Sequence, residues 1–249
     1  NNLDQDDIND PSVIRGTVTV RNPSLMPWTA SNYDVSLEYY TEQGGFLSAG
    51  GFVKEIKNFF GASARLATPE ILEEVGLDER YMGWTVSTTF NSGDARISGI
   101  ELNARHDLRM VGSWGRYFTL FANGTKLRLE GNQQANFASY VPETANWGVT
   151  FNAKRFIATL KWNYRGLNRG AARPAFGPDG FLYVAGRTTL DPSLSYQITP
   201  RIRLTASALD ITNEGTRTLT YGSQTPDYAR QLQIADWGSA LGLSIEGSF

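Results

Sequence analysis

Read from its end backwards, the chain alternates between apolar and polar positions. Leu241, Leu243, Ile245 and Phe249 fall on one side of an extended backbone, with Gly242, Ser244, Glu246 and Ser248 on the other. Residues two apart along a strand share a face, so this period of two predicts a strand with one apolar and one polar side. The alternation recurs upstream. Ile202, Leu204, Ala206 and Ala208 oppose Arg203, Thr205 and Ser207, and Leu190, Leu194, Tyr196 and Ile198 oppose Thr189, Asp191, Ser193, Ser195 and Gln197. Phe156, Ala158, Leu160, Trp162 and Tyr164 oppose Thr159, Lys161, Asn163 and Arg165, while Trp147, Val149 and Phe151 oppose Asn146, Gly148, Thr150 and Asn152. Ser98, Ile100, Leu102 and Ala104 then face away from Gly99, Glu101, Asn103 and Arg105, and Tyr33, Val35, Leu37 and Tyr39 from Asn32, Asp34, Ser36 and Glu38. Two further strands, near Phe46–Ile56 and Arg116–Leu127, are less cleanly phased. Many of these runs reach about ten residues. Strands of soluble proteins centre on about five or six, whereas a tilted strand crossing hydrocarbon needs about 9–11.

The connections alternate as well. Thr199–Pro200, Ala153–Arg155 and Thr41–Gly45 are short and His106–Gly115 is of moderate length; between them lie the long stretches Lys57–Gly83, Arg128–Thr144, Gly166–Gly186 and Asn213–Ala235. A membrane barrel has this asymmetry, with tight periplasmic turns and long external loops. The expectation is nine antiparallel strands, the last descending to the periplasmic side. Within the first long stretch a short helix is expected: Thr68 can cap it, Pro69 suits its first position, Glu70 lies near its positive end, and Gly76 stops the stripe of Ile71, Leu72 and Val75. It fits either a lid or a packed loop. Asn91–Asp94 reads as a turn, and Gly44–Gly45 and Gly50–Gly51 as turn and strand glycines, since no phosphate-loop or dinucleotide pattern surrounds them.

Composition narrows the class. The 23 Lys plus Arg against 25 Asp plus Glu give no electrostatic case for nucleic acid. With no Cys and one His, disulfides and thiolate ligands are excluded, and a transition-metal site or other cofactor is not expected. The acidic N-terminal residues carry no signal-peptide pattern, and nowhere do about 18 apolar residues run together as a membrane helix requires. A soluble all-β protein and a membrane β-barrel remain.

Several segments carry a family resemblance. Asn22–Pro23–Ser24–Leu25–Met26–Pro27–Trp28, followed by Asn32–Tyr33–Asp34 and Glu38–Tyr39, resembles a segment of TonB-dependent outer-membrane receptors, with Trp28 where that family usually has Glu. Ala95–Leu102 is similar to a second strand of the family, Val141–Asn146 to a third, and Ala208–Glu214 to a fourth in which Asp210 replaces the commoner Asn. The terminal Phe249 fits the signal read by the outer-membrane assembly machinery. The resemblance covers nearly everything from Asn22 onward. It implies the C-terminal portion of a 22-stranded barrel, with residues 1–31 as an external loop and strand approach and residues 32–249 as the C-terminal strands. The plug domain and TonB box are expected to lie outside this chain. The implied activity is TonB-energised uptake, with no enzymatic step, of a scarce solute, a ferric siderophore before glycan, cobalamin or another nutrient. The implied partners are the bilayer, the plug and remaining strands, TonB and the assembly machinery. A passive porin-like barrel and a soluble β-sandwich binding module are the readings from other classes.

Candidate site residues follow from the faces. A basic residue facing lipid near the midplane costs about 2–4 kcal/mol, so Glu101, Arg105, Lys161, Arg165, Arg187, Asp191, Arg203 and Glu246 are expected to face the lumen. Trp147, Trp162, Tyr164, Tyr196 and Phe249 are candidates for the interfacial aromatic girdles. Arg80, Tyr81, Trp84, Arg173, Tyr183, Tyr221, Tyr228, Arg230 and Trp237 lie in or beside the external stretches, where rings and guanidinium groups either grip a sugar, catecholate or planar chelate or order the loops themselves. His106, beside Asp107 and Arg109, reads as a wet interfacial residue at a strand end.

Overall fold

The computed structural model describes residues 16–42, 44–131, 140–173, 176 and 179–248. Its strands are β1 (Thr17–Val20), β2 (Thr29–Tyr40), β3 (Phe46–Leu66), β4 (Thr85–Asp107), β5 (Phe118–Gly131), β6 (Glu143–Ala153), β7 (Phe156–Arg165), β8 (Asn168–Ala172), β9 (Phe181–Val184), β10 (Arg187–Thr199), β11 (Ile202–Leu209), β12 (Thr216–Tyr221), β13 (Gln231–Ala235) and β14 (Ala240–Gly247), with one α-helix, α1 (Pro69–Val75). The main sheet has the order β14-β11-β10-β7-β6-β5-β4-β3-β2, with β1 added in parallel along β4. Those nine ordered strands are the nine expected from periodicity. They are neighbours in chain order except where β8, β9, β12 and β13 are set aside in a second, four-stranded sheet. β14 and β2 stand at the two ends of the order, and no pairing joins them among the described residues. Apart from β1, the ordered strands of this sheet pair antiparallel wherever their register is given.

The chain divides into two compact units: residues 1–31, 55–96 and 130–136, and residues 32–54, 97–129 and 137–249. In the second unit the registers from β5 to β14 place the following apolar positions on one face. Ile245, Leu243 and Leu241 oppose Leu204, Ala206 and Ala208. Leu204 and Ala206 oppose Tyr196 and Leu194, which oppose Phe156 and Ala158, with Leu190 opposite Trp162. Phe151, Val149 and Trp147 continue that row against Ala158, Leu160 and Trp162, and Phe118, Leu120 and Ala122 extend it onto β5. Among the described residues of this unit, no second layer covers this face. Leu241, Leu243 and Ile245 are 81%, 73% and 71% exposed. Such an apolar surface needs hydrocarbon rather than water, because each exposed Leu or Ile forgoes about 1.5–3 kcal/mol of transfer energy. Turn geometry follows the sequence: β6 and β7 are joined by Lys154–Arg155, with Lys154 at φ 53°, and β10 and β11 by Pro200–Arg201.

The first unit departs from expectation. Lys57–Gly83 is not one long loop, because β3 continues to Leu66, and Asn91–Asp94 is not a turn, because β4 runs unbroken from Thr85. Asn58 at φ 56° and Gly93 at φ 111° break the alternation locally. An inserted irregularity shifts every later side chain to the other face, which hides a strand from a period-two reading. Asn91 clamps this point. Its side-chain amide donates to Met26 O at 2.9 Å and Asn58 O at 2.8 Å, and its Oδ1 accepts from Met26 N–H at 2.9 Å. Asp94 Oδ1 accepts from Asn58 N–H at 3.2 Å, and the Trp28 ring meets Phe59 edge-on at 6.5 Å. The helix forms as expected: Thr68 accepts from Ile71 N–H, and Gly76 ends it in the left-handed region at φ 68°. Hydrogen bonding from Thr68, then from its own backbone N–H, holds the Glu70 carboxyl below its ordinary range. The helix is packed, with Leu72 in a small core with Ala67 and Val86, flanked by Val20, Ile71, Val75, Leu77, Tyr81 and Met82.

Candidate functional site

The polar face of the main sheet is built from the alternate positions of the same strands. Arg203 opposes Glu246 at 3.9 Å and is bonded by Gln197 Oε1 at 3.1 Å. Asp191 opposes Lys161, and Arg187 opposes Arg165. Asp107 accepts from Thr119 Oγ1 at 2.6 Å, and Thr119 opposes Thr150, so Glu101, Arg105 and Asp107 of β4 share this face. The structure thus gathers the eight expected charged residues on one side of the sheet. Their situations differ. Glu101, Arg105, Lys161 and Arg165 are exposed, whereas Asp191 is tied down: it accepts from Asn163 Nδ2 at 2.7 Å and from Asp210 N–H at 2.8 Å. Arg187 is likewise committed, donating to Thr216 Oγ1 at 3.0 Å and so fastening β12 to the main sheet. These two act as joints. His106 is the penultimate residue of β4, half-buried, with Nδ1 2.6 Å from Asp107 O.

The joint at Asp191 also explains a sequence feature. Asp210 and Asn213 lie at φ 49° and 52°, the left-handed region that Asn and Asp adopt with least strain. Asp210 Oδ1 accepts from Glu214 N–H and Thr212 Oγ1, and Ser239 Oγ donates to Asp210 O at 2.7 Å. The backbone conformation accepts either Asp or Asn at this position, so the departure from the commoner residue costs nothing in geometry.

Of the girdle candidates, Trp147 and Trp162 oppose one another on the apolar face and Tyr164 lies one step beyond. Tyr196 sits at the other end, its ring 4.7 Å from that of Phe156. From Phe156 to Tyr164 is about 27 Å along the strand, or about 20 Å of bilayer at a tilt of about 40°. Beyond the upper rings Lys126 pairs with Glu143 at 2.8 Å, the first ion pair on this face. Phe249 lies outside the described residues.

The second sheet holds two of the external candidates, Tyr183 and Tyr221, and four more, Arg173, Tyr228, Arg230 and Trp237, lie in the segments flanking its strands. It was hidden in the stretches Gly166–Gly186 and Asn213–Ala235, because strands of four to six residues give too few periods to read. Its register aligns Leu219 with Tyr183, Tyr221 with Phe181 and Arg169 with Tyr183, putting rings and guanidinium groups on one face. Tyr183 stacks on Tyr221 with centroids 4.3 Å apart at 18°, and Arg230 lies 4.6 Å above the Tyr221 ring while pairing with Asp227 at 2.7 Å. Arg169, not singled out from sequence, lies 4.4 Å above Phe181. Burial, followed by the neighbouring Tyr221, pushes the Tyr183 phenol up. Tyr228 and Trp237 are 92% and 84% exposed, and Arg173 is exposed at the end of β8. At the opposite end of β8, where Tyr140 bridges Arg169, burial raises the phenol of Tyr140, whose hydroxyl is without a hydrogen-bond partner, as is the Oδ1 of the buried Asn168. The remaining candidates belong to the first unit, where Arg80 lies 5.0 Å over the Tyr81 ring and Tyr81 meets Trp84 edge-on at 5.4 Å. Tyr81 packs on the helix core and so orders that segment.

Three comparisons bear on this arrangement. The structure is similar to that of the copper transporter OprC, with a TM-score of 0.64 at 19% identity over 91% of this chain and 32% of that one. It is similar to the ferric yersiniabactin uptake receptor FyuA from Yersinia pestis, with a TM-score of 0.56 at 18% identity over 89% and 30%, and to the outer membrane transporter YddB from Escherichia coli, with 0.60 at 12% over 95% and 35%. The chain spans about a third of the length of each. No curated protein sequence matches it. The family model described as "TonB dependent receptor-like, beta-barrel" matches residues 4–211. The chain belongs to that family, and with it to the non-catalytic, multi-pass β-barrels of the outer membrane.

Proposed function

We propose that the intact protein takes up a scarce solute across the outer membrane, energised by TonB, with a ferric siderophore as cargo. The observation that carries this reading is the two-faced sheet: an uncovered apolar face backed by a face of Asn, Thr and charged side chains suits a wall between lipid and a wet lumen. The expected lumen-facing residues line that passage, and Trp147, Trp162, Tyr164, Tyr196 and Phe249 form its two interfacial girdles. A plug and the remaining strands of a 22-stranded barrel complete it, since unpaired backbone along β14 and β2 would cost several kcal/mol per group in hydrocarbon. TonB acts through the plug, and Phe249 serves assembly.

The choice of cargo draws on the second sheet. Its stacked rings and guanidinium groups, with Tyr228 and Trp237 standing free beside them, suit a flat, anionic chelate. Solved structures of similar fold include proteins named for ferric citrate, ferric yersiniabactin and ferric enterobactin. The test is a tryptophan-fluorescence titration of the intact receptor with ferric siderophores and with oligosaccharides, paired with uptake in cells lacking TonB. Saturable binding of a siderophore and TonB-dependent uptake are expected. Binding of an oligosaccharide alone would replace the cargo, and uptake indifferent to TonB would make the protein a passive pore.

A further inference from the structure

The turn at residues 108–117, between β4 and β5, is the longest at the short-turn end of the sheet and the least economical. A two-residue link suffices between β6 and β7. Here two 3-10 turns, Leu108–Val111 and Gly115–Tyr117, fold back on one another instead. They leave Met110 70%, Val111 57% and Trp114 54% exposed. Large apolar side chains at the tip of a turn forgo transfer energy unless something covers them.

Two observations identify the cover. The first is continuity with the membrane-facing surface. Trp114 meets Phe118 edge-on at 5.8 Å, and Phe118 in turn meets Phe151 at 5.1 Å, both of the latter on the apolar face. The rings therefore lead from the hydrocarbon-facing surface onto the turn without a break. The second is charge. Three successive turns along this rim, 108–117, 154–155 and 200–201, carry Arg109, Arg116, Lys154, Arg155 and Arg201, all exposed, and no acidic residue. Arg109 and Arg116 line one open cleft of about 780 Å³ together with Met110 and Val111. Arg116 is held in place by the Tyr117 ring, 4.8 Å away, and donates to the Tyr117 hydroxyl at 2.7 Å. Arg109 pairs with Asp107 at 3.7 Å and keeps its side chain 63% exposed. Apolar groups that dip into the acyl boundary beside guanidinium groups at headgroup depth are the chemistry of anionic lipid recognition.

We infer that this turn is a lipid anchor: Met110, Val111 and Trp114 seat in the leaflet on the short-turn side, and Arg109 and Arg116 hold the phosphate of an anionic phospholipid. The inference rests on the proposed reading of the apolar face as lipid-facing. Lys154, Arg155 and Arg201 extend the cationic rim and draw the same lipids to the neighbouring strands.

The chain has no Cys, so single cysteines can be placed in it and spin-labelled within the intact receptor, with any cysteine outside this chain replaced by serine. In vesicles containing phosphatidylglycerol, a label at Met110→Cys is expected at headgroup depth by its accessibility to oxygen against a water-soluble nickel complex. A label at Leu160→Cys reports the apolar face independently. Spin-labelled phosphatidylglycerol is expected to be motionally restricted in preference to phosphatidylcholine, and the preference to fall about fivefold for each arginine removed in Arg109→Gln and Arg116→Gln. A water-exposed Met110 label with Leu160 in lipid overturns the anchor and leaves the barrel wall standing. A Met110 label shielded from both probes assigns the turn to a protein contact and also overturns it. Retained lipid preference in the double variant, folded by circular dichroism, removes the arginines from the account. Aqueous exposure at Leu160 sinks the underlying two-faced reading.

Discussion

The hairpins β6–β7 and β10–β11 and the four-stranded sheet β8–β9–β12–β13 are made of the same structure type under different solvents. Apart from a register shift between Gln197 and Thr199 at the turn end of β10, the hairpins keep their alternation because each side chain meets one of two fixed surroundings, and a slip of one residue would exchange them all. The smaller sheet has no such rule. Its strands are short, and ring stacking and guanidinium contacts hold its face together. The difference teaches that the membrane wall is specified by period and the smaller sheet by particular pairs. Substitutions should separate the two.

The largest effect is expected at the wall. Leu160 opposes Val149 and Pro192 near the middle of the apolar face, whereas Thr159 beside it lies on the polar face. Leu160→Arg should cost about 2–4 kcal/mol in a urea titration of the intact receptor refolding into vesicles. Thr159→Arg should cost far less. Equal costs would break the comparison, since neither face would then be distinguished by its solvent.

Next comes the joint between the two regions. Asp191 lies in a wall strand and accepts from both Asn163 and Asp210 N–H. Asp191→Ala strands a half-buried N–H and should cost about 2 kcal/mol, read as a lowered melting temperature and faster proteolysis within residues 210–239. Asp191→Asn keeps one acceptor and should recover part of the loss. An unchanged cleavage pattern would mean that the smaller sheet is held elsewhere.

A smaller, local effect is expected inside the four-stranded sheet. Tyr221→Ala removes the stack with Tyr183 and the surface under Arg230, worth about 0.5–1.5 kcal/mol for the ring pair. Hydrogen exchange should quicken in β9 and β12 and stay unchanged in β7 and β10, while Tyr221→Phe should behave as the parent. Exchange that quickened everywhere would join the two regions into one cooperative unit.

This division also accounts for what was legible. Nine wall strands, their order, the alternating turn lengths and the Thr68-capped helix could be read because period, length and capping are local and repeated. β3 beyond Ile56 and β4 before Ser98 could not, because Asn58 and Gly93 shift the phase. The ring-and-guanidinium face was half legible: Tyr183, Tyr221 and Arg230 stood out as residue types, but their partners Arg169 and Phe181 depend on a register no spacing encodes. Asp191 was read as one lumen carboxylate among several, because its two donors come from β7 and from the residue after β11, distant in sequence.

The subtlest effect is expected with pH. Asp179 precedes β9, and its Oδ2 accepts from Ser223 N–H at 2.9 Å, closing the turn after β12 onto the start of β9. Hydrogen bonding from the Ser223 side chain, followed by that from its backbone N–H, holds the Asp179 carboxyl below the ordinary carboxylate range. A carboxyl whose folded pKa is depressed contributes stability that is fully present above its unfolded value and is lost as pH falls through the folded one. The contact should therefore be complete at neutral pH and loosen in acid, below the pH at which a free Asp titrates. Because the group is solvent-exposed, the loss should be local: faster hydrogen exchange at Ser223 and its neighbours in acid, with the wall strands unaffected. In Asp179→Asn that acid step should vanish, with Ser223 equally protected across the range. An acid step of the same size in the variant would place the titrating group elsewhere, and the smaller sheet would then be held at this corner by its rings and not by charge.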